Sequence, residues 1–125
     1  MSELKPQRVV IADDCPPLVC ALKRLVALSC DVIGTVSNCS ALLDATRRFE
    51  PDVVIVDLNL PGGNSLVACE EITRMRPATR VIVVTCGLDL SVRPYVLAAG
   101  ASAFIDKTAA ADELLSAIIP APCVQ

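Results

Sequence analysis

Residues 51–64 read Pro51-Asp52-Val53-Val54-Ile55-Val56-Asp57-Leu58-Asn59-Leu60-Pro61-Gly62-Gly63-Asn64. Four consecutive β-branched residues, bounded by a Pro-Asp break and a Pro-Gly-Gly-Asn loop, predict a short strand buried on both faces. Such a strand belongs inside a parallel sheet covered by helices. This one runs straight into an acidic residue, Asp57, at its carboxyl end.

Outward from this stretch the same alternation continues. Val9–Ala12 predicts a first strand, ended by Asp13 and Asp14. Pro16 and Pro17 open a helix, where missing amide hydrogens cost nothing, and Leu18, Leu22, Leu25 and Val26 give it an apolar face. Val32–Val36 predicts strand two, and Ser40 the N-cap of a helix running to about Phe49. Beyond the loop, Leu66, Cys69, Ile72 and Met75 mark a third helix. Val81–Val84 predicts strand four, ending at Thr85. A fourth helix starts near Ser91, with Pro94 in its first turn, and Gly100 ends it. Ala103–Ile105 predicts a short fifth strand followed by Lys107, and a last helix runs from about Ala110 to Ile119. Five strands alternating with five helices predict an α/β fold, a doubly wound parallel sheet with strands three and four at its centre. The domain is expected to span 1–119, with 120–125 a tail whose Pro-Ala-Pro reads as the start of a linker.

A chain of 125 residues fits one domain. It is 54% hydrophobic but only 2% aromatic, so the core must be built from Val, Leu, Ile and Ala. A net charge of −3, with scattered basic residues and no aromatic stripe, argues against nucleic-acid contact by this domain. The first apolar run stops at Asp13, and no stretch approaches the roughly 18 apolar residues of a membrane span. The expected compartment is the cytoplasm. Seven cysteines without a histidine make no zinc site, and free thiols acting as small core hydrophobes are the simplest reading.

Ligands of open α/β sheets bind beyond the carboxyl ends of the strands. Those ends carry Asp13, Asp14, Asp57, Thr85 and Lys107. Each alone has an ordinary explanation: an N-cap, a solvated strand terminus, a turn residue, a surface charge. Gathered at one edge they do not, because two like charges 4 Å apart cost about 4 kcal/mol at an effective dielectric near 20. A hard divalent cation relieves that repulsion, and magnesium favours a few carboxylates plus phosphate oxygens. A lysine beside it suits a second anionic ligand. A phosphoryl group satisfies all of these parts.

The segments Val9-Val10-Ile11-Ala12-Asp13-Asp14, Val54-Ile55-Val56-Asp57-Leu58-Asn59-Leu60-Pro61, Val81-Ile82-Val83-Val84-Thr85 and Ala99-Gly100-Ala101-Ser102-Ala103-Phe104-Ile105-Asp106-Lys107 resemble response-regulator receivers of two-component signalling. The opening and the Pro-Gly-Gly-Asn loop are most similar to LuxR/NarL-type regulators. The resemblance implies a (βα)5 flavodoxin-like sheet of strand order 2-1-3-4-5. It implies that Asp57 accepts a phosphoryl group from the phosphohistidine of a sensor histidine kinase. Asp13, Asp14, Asp57 and the backbone carbonyl of Asn59 would hold Mg2+, and Lys107 would pair with a phosphoryl oxygen. Thr85 would turn its hydroxyl to the phosphate, and Phe104 would move with it. The face of helix four, strand five and helix five, with Val92, Tyr95 and Val96 exposed, would then change to form a homodimer or dock an effector, with transcription the expected output. The receiver would catalyse only its own phosphorylation and dephosphorylation.

Departures from the family pattern are Cys15, Ser65 at a loop position usually occupied by glycine, a half-buried Cys86 after Thr85, and Thr108 where proline is common. Three other readings share the fold: a stand-alone phosphorelay receiver, an aspartyl-phosphate phosphatase, and a degenerate docking module. A phosphatase of this kind usually needs an acid two residues after the nucleophile, where this chain has Asn59. The intact Asp13, Asp14, Asp57, Thr85 and Lys107 weigh against a degenerate module. A flavin site lacks its hydroxyl-rich first loop.

Overall fold

The computed structural model describes residues 6–87, 89–107 and 111–118. Five strands, β1 (Arg8–Ala12), β2 (Asp31–Val36), β3 (Val53–Asp57), β4 (Arg80–Thr85) and β5 (Ala101–Asp106), alternate with five helices. The helices are α1 (Pro16–Val26), α2 (Cys39–Phe49), α3 (Ser65–Met75), α4 (Arg93–Ala98) and α5 (Ala111–Ile118). All strand pairs are parallel, in the order β2-β1-β3-β4-β5. The Val-Val-Ile-Val run therefore occupies the middle of the sheet, flanked by β1 and β4.

Period-2 alternation sends each strand's side chains into two different layers. Val9, Ile11, Val53, Ile55, Ile82, Val84 and Ile105 pack with Leu22 and Val26 of α1 and Leu114 and Ile118 of α5. Val10, Ala12, Val54, Val56, Val81, Val83 and Phe104 pack on the other face against α2, α3 and α4. The central strands need no polar side because helices cover both faces. Bulges fall on the edge pairings, where the register shifts between Val9 and Val10 against β2 and between Val81 and Ile82 against β5. Edge strands tolerate such breaks because only one side of their ladder is committed.

Several boundaries differ from expectation. The N-cap of α2 is Asn38, not Ser40: its side chain accepts from the Ala41 amide at 2.8 Å. The Cys39 amide meanwhile donates to the Pro61 carbonyl at 2.9 Å, so the loop after β3 fixes where this helix begins. Strand five is longer than Ala103–Ile105, because its bulge lets Ala101 pair with Val81. Helix four is preceded by a 3-10 turn at Leu90–Val92, capped by Asp89, and Pro94 lies in the first turn of α4 as expected. Val96 is fully buried against the core rather than exposed, while Leu90, Tyr95 and Leu97 face solvent. The ends expected for the last helix, and the tail at 120–125, lie outside the described residues.

Candidate functional site

The backbone ladder extends one residue past β1, β3 and β5. Asp13 N–H donates to the Val36 carbonyl at 3.0 Å, Leu58 N–H to Val84 at 2.8 Å, and Lys107 N–H to Thr85 at 2.8 Å. These bonds hold the strand ends rigidly at the carboxyl edge of the sheet. The pleat decides which side chains meet there. Asp13 continues the series Val9-Ile11, Asp57 the series Val53-Ile55, and Lys107 the series Ala103-Ile105, so all three share the α1/α5 face.

Lys107 Nζ lies 2.7 Å from Asp13 Oδ2 and 3.1 Å from Asp57 Oδ2, with all three side chains 7% exposed or less. Burial works to lower the Lys107 pKa, but hydrogen bonding to Asp13 and Asp57 and their charges outweigh it, and the net shift is upward. The other Asp13 oxygen, Oδ1, accepts from the Cys15 amide at 3.0 Å. Asp57 Oδ1 accepts from the Asn59 amide at 3.0 Å.

Asp14 is exposed, yet it presents a carboxylate oxygen such that oxygens of Asp13, Asp14 and Asp57 all lie within 4.8 Å of one another. One ammonium cannot offset three carboxylates. Asp13 Oδ2 is buried and has no partner but the Lys107 ammonium among the described residues. Among the described residues, no donor reaches the Asn59 carbonyl. Clustered hard oxygens, one of them short of a donor, and a free carbonyl suit a divalent cation of magnesium type.

Thr85 and Phe104 belong to the opposite face by the same alternation. Thr85 is buried, and its hydroxyl donates to the Cys86 carbonyl over a long 3.4 Å. Phe104 is 4% exposed and packs with the layer that includes Val83 and Val96. The ring is thus already inside the core, so the movement expected of Phe104 does not start from an exposed position in this state. Cys86 is exposed rather than half-buried, as is Cys20, while Cys30, Cys39 and Cys69 are buried. Burial pushes the Cys69 thiol up to about 12 and raises those of Cys30 and Cys39. Thr108 lies outside the described residues.

One residue matters more here than its sequence position suggested. Ser65, the first residue of α3, is buried and donates its hydroxyl to the Asp57 carbonyl at 2.8 Å while accepting from the Leu60 amide at 3.2 Å. The only signal in the sequence was its departure from glycine.

Comparison with known proteins agrees with this geometry. The family model "Response regulator receiver domain" matches residues 9–119. The nitrate/nitrite response regulator protein NarL of Escherichia coli (strain K12) is 27% identical over 120 residues, covering 94% of this chain and 56% of that protein. The oxygen regulatory protein NreC of Staphylococcus carnosus (strain TM300) is 30% identical over 114 residues, covering 89% and 52%. The chain thus spans about half the length of these curated relatives. Among solved structures, the signal receiver domain of the putative response regulator NarL from Mycobacterium tuberculosis superposes with a TM-score of 0.84 at 24% identity, covering 92% of this chain and 94% of that one.

Proposed function

The chain belongs to the response regulator receiver domain family, and from that premise we propose that it is a phosphorylation-driven signalling switch whose acceptor is Asp57. The donor would be the phosphohistidine of a sensor histidine kinase. An Asp57 carboxylate oxygen forms the new P–O bond as the P–N bond breaks. The electron pair stays on the imidazole nitrogen, which takes up a proton from solvent. The observation that carries this reading is the buried Lys107 ammonium held between Asp13 and Asp57. A desolvated cation at that point is placed to meet the oxygens of a group arriving on Asp57.

Asp13, Asp14, Asp57 and the Asn59 carbonyl would hold Mg2+. When bound, the ion supplies positive charge against the oxygens of the transferring group. The protein's own residues do the positioning: the Asn59 amide orients one Asp57 oxygen, and Lys107 neutralises the other. The test is incubation with acetyl phosphate and magnesium, followed by intact-mass measurement. Wild type should gain one phosphoryl group and Asp57→Ala none; labelling of that variant would refute the assignment.

The output is read from the opposite layer. Thr85 and Phe104 lie on neighbouring strands of one face, and Leu90, Tyr95 and Leu97 are exposed around α4. We infer that phosphorylation remodels the face formed by α4, β5 and α5, which then pairs two receivers or docks an effector. Since the ring is already buried, the change is a repacking of that layer, of the 1–3 kcal/mol typical of allosteric coupling. The regulators it resembles are about twice as long, and control of transcription through a further domain is the output this reading favours. This domain itself would touch no nucleic acid. Among the described residues no helix is long and apolar enough to cross a membrane, and cytoplasmic action is part of the same proposal. Amide shifts on adding beryllofluoride and magnesium that stay within residues 57–65 would refute the output mechanism.

A further inference from the structure

We propose that Ser65 is a positioning residue for phosphoryl acceptance: its buried hydroxyl, fixed between the Asp57 carbonyl and the Leu60 amide, sets the turn that aims the Asp57 carboxylate and the Asn59 carbonyl. This rests on the receiver reading above and assigns to Ser65 a role in that site. Three residues, Leu58 to Leu60, connect the end of β3 to the loop, and their path decides where the Asn59 carbonyl points. Ser65 closes this turn from the far side, donating 2.8 Å to Asp57 and accepting 3.2 Å from Leu60. Leu60 N–H also reaches the Asp57 carbonyl at 3.1 Å, so three polar groups share one compact knot.

Cys39, at the start of α2, holds the next two carbonyls. Its thiol donates to Leu60 at 3.8 Å and its amide to Pro61 at 2.9 Å. A Cβ on Gly63 would stand 3.4 Å from Cys39 Cβ and 3.6 Å from its sulfur, so the loop lies flat on this residue. The carbonyls of Asp57, Leu60 and Pro61 are therefore occupied, while that of Asn59 receives no donor among the described residues. A turn clamped on both sides with one carbonyl spared presents that oxygen without a reorganisation cost at binding.

The experiment compares wild type, Ser65→Ala, Ser65→Gly and a control, Thr79→Val. Thr79 is also buried and donates its hydroxyl to a carbonyl, that of Pro51 at 2.6 Å, but at the opposite edge of the sheet. Magnesium affinity is read from amide shifts at Asn59 and Leu60 without any phosphodonor. The rate of modification by acetyl phosphate, in which acetate leaves as the Asp57–phosphorus bond forms, is read by intact mass at limiting and saturating magnesium. Both Ser65 variants should bind magnesium about five- to 30-fold more weakly, on the scale of one lost hydrogen bond to a buried group. Their rate should fall at limiting magnesium and recover substantially at saturation, while Thr79→Val loses thermal stability but keeps wild-type affinity. Equal affinity in wild type and Ser65 variants overturns the proposal, as does equal weakening in Thr79→Val. Variants that unfold before measurement make Ser65 a stability residue and overturn it too. A wild type that takes no phosphoryl group instead sinks the receiver reading itself.

Discussion

The Lys107 ammonium stands 2.7 Å from Asp13 Oδ2, with the two side chains 5% and 0% exposed. Removing one partner of such a buried pair strands the other charge, and here it strands Asp57 as well. Lys107→Ala should lose on the order of 3 kcal/mol without divalent ions. The same variant should bind magnesium more tightly than wild type, since no ammonium competes for the carboxylates. Thermal melts with and without magnesium check both parts. A variant stabilised less by the ion than wild type would contradict this account of the pocket's charge.

The upward shift of Lys107 fixes a pH dependence. A free lysine titrates near about 10.4. With the folded value above that, the ion pair's stabilisation is fully present below about pH 10 and is lost as pH rises through the folded value. The stability difference between wild type and Lys107→Met should therefore hold constant from about pH 7 to 9.5 and shrink only above that range. Denaturant titrations at stepped pH measure it, and a difference that fades by neutral pH would show an ammonium losing its proton early.

Gly100 ends α4 with φ of +105°, and a Cβ there would meet Thr73 Oγ1 and lie 2.9 Å from Thr73 Cβ. Gly100→Ala should lose about 1–3 kcal/mol from backbone conformation alone, with the overlap adding to it. Thr73→Ala in the same background removes Oγ1 and Cγ2 and should recover part of the overlap, leaving the contact with the residue-73 Cβ and the conformational cost. Chemical denaturation of the single and double variants measures that part; no recovery in the double variant would mean that the contacts with Oγ1 and Cγ2 carry none of the loss.

Phe104 is a core residue in this state, so Phe104→Ala should cost about 3 kcal/mol as a cavity. Phe104→Leu keeps most of the volume and should cost less than about 1.5 kcal/mol. The leucine variant is the proper probe of output: it should accept phosphate normally at Asp57 yet show smaller beryllofluoride-induced shifts in α4 than wild type. Undiminished shifts would remove Phe104 from the switch.

The N-cap of α2, expected at Ser40 and found at Asn38, shows where reading the chain linearly fails. Asn38 and Ser40 are both good caps, and nothing local ranks them. The choice is made by Pro61, whose carbonyl takes the Cys39 amide and so fixes the first turn from outside the helix. Ser65 is a similar case: along the chain it reads only as a departure from glycine in a loop, whereas its hydroxyl reaches back to the carbonyl of Asp57. Likewise Val96, placed with Val92 and Tyr95 on the exposed face that the resemblance implies, is buried against the core.

By itself the sequence determined the elements and the edge to which chemistry is delivered. Runs such as Val53–Val56 are buried on both faces or nowhere, and the ends of the strands carry Asp13, Asp14, Asp57, Thr85 and Lys107 to one edge. The tertiary structure decided which of those groups touch. Lys107 follows β5, separated from β3 by the whole of β4 and from β1 by two strands, about 10 Å and 14 Å away at ordinary strand spacing. Periodicity is a property of each strand alone and carries no distance between strands. Only the assembled order of the sheet brings a long lysine side chain over β4 to two carboxylates on its far side, where an ordinary surface charge becomes a buried ammonium paired with both.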